Sequence, residues 1–164
     1  MAVSDQVGQT NFYHFGDAES NLPTSSSLSQ AFMETDSQAN VLPVRVTTLD
    51  EFVANQRIDR VDLVKIDTES TEPAVLRGMK VVLERHRPDI ICEVLKNRGS
   101  ESALEYHLGE LGYSFFLLTP NGPVRTDCVQ GHPYWLNYWF TPTSEILQTA
   151  DSKTHNVASS LPAL

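Results

Sequence analysis

Positive charge is scarce in this chain: lysine and arginine number 12 among 164 residues, against 21 aspartates and glutamates, for a formal net charge of -9. No basic stripe runs along any segment, so phosphate backbones and anionic lipid headgroups would be repelled. Nucleic acid and membrane are accordingly excluded as expected partners. Long apolar runs are also absent. The stretch Phe115 to Leu118 falls far short of the roughly 18 residues that cross a bilayer. The opening segment Met1 to Thr10 carries Asp5 and no basic region before an apolar stretch, so it does not read as a signal peptide and the expected compartment is cytoplasmic. There are only 2 cysteines, with neither CxxC nor histidine spacing. That argues for a buried small hydrophobe at Cys92 and a bystander at Cys128 rather than a metal site. The 5 histidines share no ligand spacing either, which speaks against zinc.

What is present suffices for one core, since a chain of this size buries about 68–70 % of the surface its unfolded form exposes. Gln9 to Phe15 has the aromatic and threonine content of a strand. Asp17 to Gln30, with Pro23 and a run of serines, reads as a loop. Val41 to Val46 reads as a strand that Pro43 confines to an edge or an irregular start. Thr48-Leu49-Asp50-Glu51 matches a capping box and predicts a short helix to about Asn55.

From Val61 the pattern becomes β-α-β-α-β. The strand Val61 to Ile66 ends in the polar cluster Asp67 to Glu72, and Val75, Leu76, Met79, Val82 and Leu83 then form one helical stripe from about Thr71 to Arg87. Pro88 stops that helix, and the apolar strand Asp89 to Leu95 follows. A second helix, Ser100 to Leu111, leads to the strand Tyr113 to Leu118. Crossovers of this length predict three mutually parallel strands. Thr119 to Pro133 reads as a loop and Tyr134 to Phe140 as an antiparallel strand at the edge of the sheet. Trp135 and Trp139, on one face of that strand, are expected in the core. The fold class is therefore α/β, a Rossmann-like, mostly parallel sheet with an antiparallel C-terminal edge strand. Residues 1–141 are the expected domain and 142–164 a disordered tail.

In such sheets ligands bind beyond the carboxyl ends of the parallel strands. Asp67 and Glu69 fall there, with Glu72 as a possible third carboxylate. They suit a general base raised by its neighbours, a hard-cation site, or a solvated acidic loop that complements a helix dipole. Glu93, a carboxylate inside the apolar run IICEVL, needs either a partner or a functional cleft. Lys65 in the preceding strand is the expected structural partner.

These residues carry a resemblance. Thr48-Leu49-Asp50-Glu51-Phe52, the run Val61 to Gly78 (VDLVKIDTESTEPAVLRG), Pro88 to Glu93 (PDIICE) and Ala2-Val3-Ser4-Asp5 resemble, in order and spacing, the FkbM family of S-adenosylmethionine-dependent methyltransferases over about residues 2 to 118. The resemblance implies a Rossmann-like domain that transfers a methyl group from S-adenosylmethionine to an oxygen of a small-molecule or glycan acceptor. Ser4 and Asp5 would lie on the adenine side of the cofactor, and Asp67 and Glu69 near the acceptor. It also implies that the family's first strand, glycine-rich turn and ribose-binding acid would precede residue 2. No GxGxxG-like or DxGxxxG-like stretch occurs here, so only the C-terminal portion of the domain is expected, with weak cofactor binding by this chain alone. Two departures stand out, Ser70 and Thr71 where the family has glycine and alanine. If that position requires positive φ, Ser70 is strained. The alternatives are a non-catalytic half-domain that oligomerises through an exposed sheet edge, and a metal-dependent transferase built on the acidic cluster.

Overall fold

The computed structural model describes residues 1–15, 25–29 and 40–142. Extended, β-branched and aromatic segments at the N-terminus build a first sheet from β1 (Ala2–Val3), β2 (Gly8–Phe15), β3 (Ser25–Ser27) and β4 (Asn40–Thr47), in the order β1-β4-β2-β3. β1 pairs parallel with β4, and the other pairings are antiparallel. Ser25–Ser27 corrects the loop reading of that stretch, where residues 17–24 and 30 lie outside the described residues. Pro43 sits opposite Asn11 of β2, beyond the two-residue reach of β1. Its missing N–H thus falls on the open side of β4, which is where a strand tolerates proline.

The capping box forms as expected. The Glu51 amide donates to Thr48 Oγ1 at 3.1 Å at the start of α1 (Leu49–Asn55). Then come β5 (Leu63–Ile66), α2 (Glu72–Arg77), α3 (Lys80–Arg85), β6 (Asp89–Glu93), α4 (Glu101–Gly109), β7 (Ser114–Thr119), β8 (Gly122–Thr126) and β9 (Asn137–Thr141). The second sheet has the order β5-β6-β9-β7-β8. β5 and β6 are parallel neighbours, with Ile66 opposite Cys92. β9 lies antiparallel between β6 and β7, so β5, β6 and β7 run in one direction although β7 touches neither of the others. Two expectations are corrected here. The antiparallel strand is interior, because Tyr138 and Phe140 are apolar enough to be buried to 2 % and 0 % exposure. The edge is instead β8, in a stretch read as loop. There Gly122, at φ 110°, turns a tight hairpin that Thr119 Oγ1 braces by donating to the Gly122 carbonyl. The architecture is mixed α/β with two sheets and mostly antiparallel pairing, rather than a continuous parallel sheet. On the other flank, β5 has a neighbour on one side only among the described residues, and Leu63 on it is 60 % exposed.

Strand alternation sorts the second sheet into two faces. Ile66, Ile90, Cys92, Tyr138 and Phe140 face the helices and meet Met79, Leu104 and Leu108 in one core. Burial there pushes the Cys92 thiol far above its ordinary range, as expected of an inert core cysteine. Trp139, on the opposite face, packs on Phe116 and donates from Nε1 to Asp89 at 3.1 Å. Trp135 lies outside β9 and is 37 % exposed, which corrects its assignment to the core. Of the expected tail, residues 143–164 lie outside the described residues. No helix among the described residues is long and apolar enough to cross a membrane.

The single helix expected from Thr71 to Arg87 is two helices, broken at Gly78-Met79. The break has a cause in the packing. The Asp50 carboxylate accepts from the amides of Val81 and Val82 at 3.0 and 2.9 Å, capping α3 from outside. The Asp50 amide in turn donates to the Gly78 carbonyl at 3.1 Å. A β-carbon on Gly78 would collide with the Ser4 carbonyl oxygen, so this glycine is required for close approach, not for its backbone angle. Gly78→Ala is expected to destabilise the fold by about 2–3 kcal/mol, because the opposing atoms are backbone and cannot rotate away. Urea unfolding followed by circular dichroism measures it.

Candidate functional site

β5 ends at Ile66, buried to 2 % exposure, and its polar continuation turns away from the core at once. Glu72, the first residue of α2, folds back over this turn and is itself 2 % exposed. Its Oε1 accepts from the Thr68 amide, the Thr68 hydroxyl and the Ser70 amide, each at 3.1 Å. A carboxylate so buried is tolerable because three donors replace its water. The turn passes through two successive left-handed residues, Glu69 at φ 52° and Ser70 at φ 79°. Ser70 thus adopts the conformation for which glycine is the natural choice. The loop is also held from the first sheet, where buried Ser27 of β3 donates to the Glu69 carbonyl at 2.8 Å. Nothing in the sequence marked Ser27, one serine in a serine-rich run.

Between the first sheet and the end of β5 lies a cleft of about 470 Å³. One wall is apolar, with Ala2, Val3, Phe12 and Leu49, and the other presents Asp67, Thr68 and Thr71. Asp67 therefore lines the cleft and Glu69 does not, though the two are close enough to repel each other. The Glu69 carboxyl is held above the usual range by burial first and by Asp67 and Glu72 next. Ser4 and Asp5 also stand outside the lining. The Ser4 amide donates to the Thr47 carbonyl at 3.0 Å. Asp5 takes two hydrogen bonds from Arg77, at 2.8 and 3.0 Å, which hold its carboxyl below the usual range. The described residues contain no group of three or more histidine, cysteine or carboxylate side chains placed to hold a metal ion.

The expected Lys65–Glu93 ion pair is not formed. Lys65 sits opposite Ile91, two residues short of Glu93, and its ammonium instead meets Asp67 at 3.0 Å. Glu93, the last residue of β6, is left with Oε2 buried and without a hydrogen-bond partner among the described residues. Its carboxyl is pushed up to about 7, by burial first and then by the charges of Asp67 and Glu69. It therefore changes charge near neutrality.

Two stability measurements follow. Ser70→Gly is expected to stabilise the chain by about 0.5–1 kcal/mol, since relief of the left-handed strain exceeds the extra unfolded-state entropy; a thermal melt checks it. For Glu93, folding raises the carboxyl from an ordinary 4.5 to about 7. Its contribution is fully present below pH 4.5 and is lost as pH rises through about 7. Glu93→Gln should therefore be more stable than the parent at pH 8 and lose this advantage toward pH 4.5, which denaturant midpoints across that range would show.

The comparisons with known proteins bear on this geometry. No curated protein and no solved structure matches the chain. The Methyltransferase FkbM domain matches over residues 1–115, a span that runs from the Ala2-Val3 wall of the cleft through Asp67 and Glu93 to the start of β7. With well over half of its length matched to that domain, the chain belongs to the FkbM methyltransferase family.

Proposed function

We propose that this chain forms an S-adenosylmethionine-dependent O-methyltransferase site, with Glu93 as the general base. The observation that carries the reading is the unpartnered, buried Oε2 of Glu93 at the carboxyl end of β6, beside Asp67 at the carboxyl end of β5. A base needs a lone pair that no other group occupies and a pKa near the working pH, and this carboxylate meets both demands. Asp67, by contrast, already holds the Lys65 ammonium at 3.0 Å. The common direction of β5, β6 and β7 supports a Rossmann-like site, in which ligands gather beyond these strand ends.

The cofactor, when bound, supplies an electrophilic methyl group on a sulfonium centre. The residues present suit it. The apolar wall at Ala2, Val3 and Phe12 offers a surface for a heteroaromatic ring, and Asp67 and Thr68 place negative and hydroxyl groups across from it, favourable to a cation. In this arrangement Ser4 and Asp5 serve the adenine side by anchoring the segment that carries Ala2 and Val3, Ser4 to the Thr47 carbonyl and Asp5 to Arg77. Glu93 stands outside the cleft lining, so an acceptor hydroxyl would have to sit beyond the ends of β5 and β6, past Asp67, to give its proton to the Glu93 carboxylate. Burial first, and then the charges of Asp67 and Glu69, keep Glu93 basic enough for that transfer.

Methyl transfer is expected to rise with pH along a limb centred near 7, since only the deprotonated carboxylate accepts the proton. Glu93→Gln should remove that limb and about 10²- to 10⁴-fold of the rate, the contribution usual for general-base catalysis. Release of S-adenosylhomocysteine measures both. A loss confined to Asp67→Asn, with Glu93→Gln active, would transfer the role to Asp67.

A further inference from the structure

A cluster of aromatic rings stands on the same rim as the acidic groups and is used by nothing described so far. The β6–β9 register places Asn137 opposite Glu93, and the Val94 amide donates to the Leu136 carbonyl at 2.7 Å. The residues just before β9 therefore continue outward from the end of β6, past Glu93. There His132 and Trp135 stack face to face, with ring centres 4.4 Å apart and planes within 3°. Tyr134 stands beside them, 83 % exposed, and Trp135 is 37 % exposed. Core packing does not account for rings so placed, and large exposed aromatics grouped together mark binding surfaces.

The segment is rigid before any ligand arrives. His132 Nδ1 accepts from the backbone amides of Tyr134 and Trp135, at 3.2 and 3.1 Å, which holds the turn that carries both rings. Upstream, Tyr138 exchanges two hydrogen bonds with Gln130, and the Val129 amide donates to Glu105 at 3.0 Å. Gly131 lies so close against the Lys96 backbone that any β-carbon would collide with it. A surface fixed by this many contacts loses little entropy when it binds.

We propose that Tyr134 and Trp135 form a stacking platform for the acceptor, and that the acceptor is a neutral saccharide. This rests on the methyltransferase reading for the word acceptor, but the platform itself does not. The negative π-face of an indole attracts the polarised C–H groups on one face of a pyranose ring. Carboxylates accept hydrogen bonds from hydroxyls, and Glu93 and Asp67 lie next along the rim. The same carboxylates, on a chain of net charge -9, repel an anionic ligand. A neutral ring with one C–H face and many hydroxyls matches both halves of the surface, whereas a flat aryl ring uses only the first.

The test is saturation-transfer NMR on the chain without methyl donor, with a panel of neutral methyl pyranosides of gluco, galacto, manno and fuco configuration, glucuronate, and phenol. Transfer to the ring C–H protons of at least one neutral pyranoside, about fivefold or more weaker in Trp135→Ala and reduced in Tyr134→Ala, is expected, with glucuronate silent. Both side chains are exposed, so the variants should fold, and Trp139 fluorescence verifies it. Absence of transfer to every neutral pyranoside, transfer unchanged in Trp135→Ala, or transfer to phenol alone would overturn the proposal. Because no methyl donor is present, such a failure leaves the methyltransferase reading standing. Sugar binding alongside wild-type methyl transfer by Glu93→Gln would instead remove the base assignment and keep the platform.

Discussion

The close approach of the Ser4 carbonyl to the α-carbon of Gly78 is the contact on which the arrangement of the two sheets depends. Ser4 belongs to the turn after β1, and Gly78 ends α2, which packs on the second sheet. Around this contact the chain gathers further ties. Arg77 reaches Asp5, Asp50 bonds to the Gly78 carbonyl, and the same Asp50 caps α3. Segments far apart in sequence thus meet at one backbone contact where no side chain fits. The cleft lies between the elements so joined, with Ala2 and Val3 from one side and Val64 to Thr68 from the other. A shift at Gly78 would change the width of that cleft without touching any residue in its lining.

Much of this was legible in the sequence where local chemistry and tertiary structure agree. The capping box at Thr48, the strand ending at Ile66, the strand start at Asp89 and the helical stripe from Val75 to Leu83 each follow from short-range patterns that the packing confirms. The requirement for positive φ at Ser70 was legible too, because only a resemblance that places glycine there raises the question. What escaped was decided at long range. The helix from Thr71 to Arg87 is periodic throughout, and its break comes from Asp50, which lies more than 25 residues earlier. The interior place of β9 reflects pairing partners that its own alternation cannot specify. The β8 hairpin was a different miss, since Asn121-Gly122 is a strong local turn signal.

The same distinction runs through the candidate site. Asp67 and Glu69 could be placed at a strand end by counting, and the structure does put Asp67 in the cleft. The partner of Lys65 could not be counted, because Glu93 lies two residues beyond its register partner Ile91, while Asp67 stands two residues along its own chain, and the reach of the ammonium decides between them. That choice governs the chemistry. With Lys65 held by Asp67, Glu93 Oε2 is left without a hydrogen-bond partner among the described residues.

Glu72 and Glu93 show how two carboxylates in one neighbourhood take opposite roles. Glu72 is the more deeply buried, yet three donors converge on its Oε1, so its charge is satisfied and holds the loop in shape. Glu93 is the less buried, but its Oε2 has no donor, and Asp67 and Glu69 add repulsion to the cost of burial. Depth of burial alone would rank these two wrongly. The hydrogen-bond inventory ranks them correctly: a charge met by donors is spent on structure, while one left without donors remains available to a proton. The turn that Glu72 shapes is the same turn that carries Asp67 and Glu69 to Glu93. The satisfied carboxylate thereby keeps the unsatisfied one poised near neutrality.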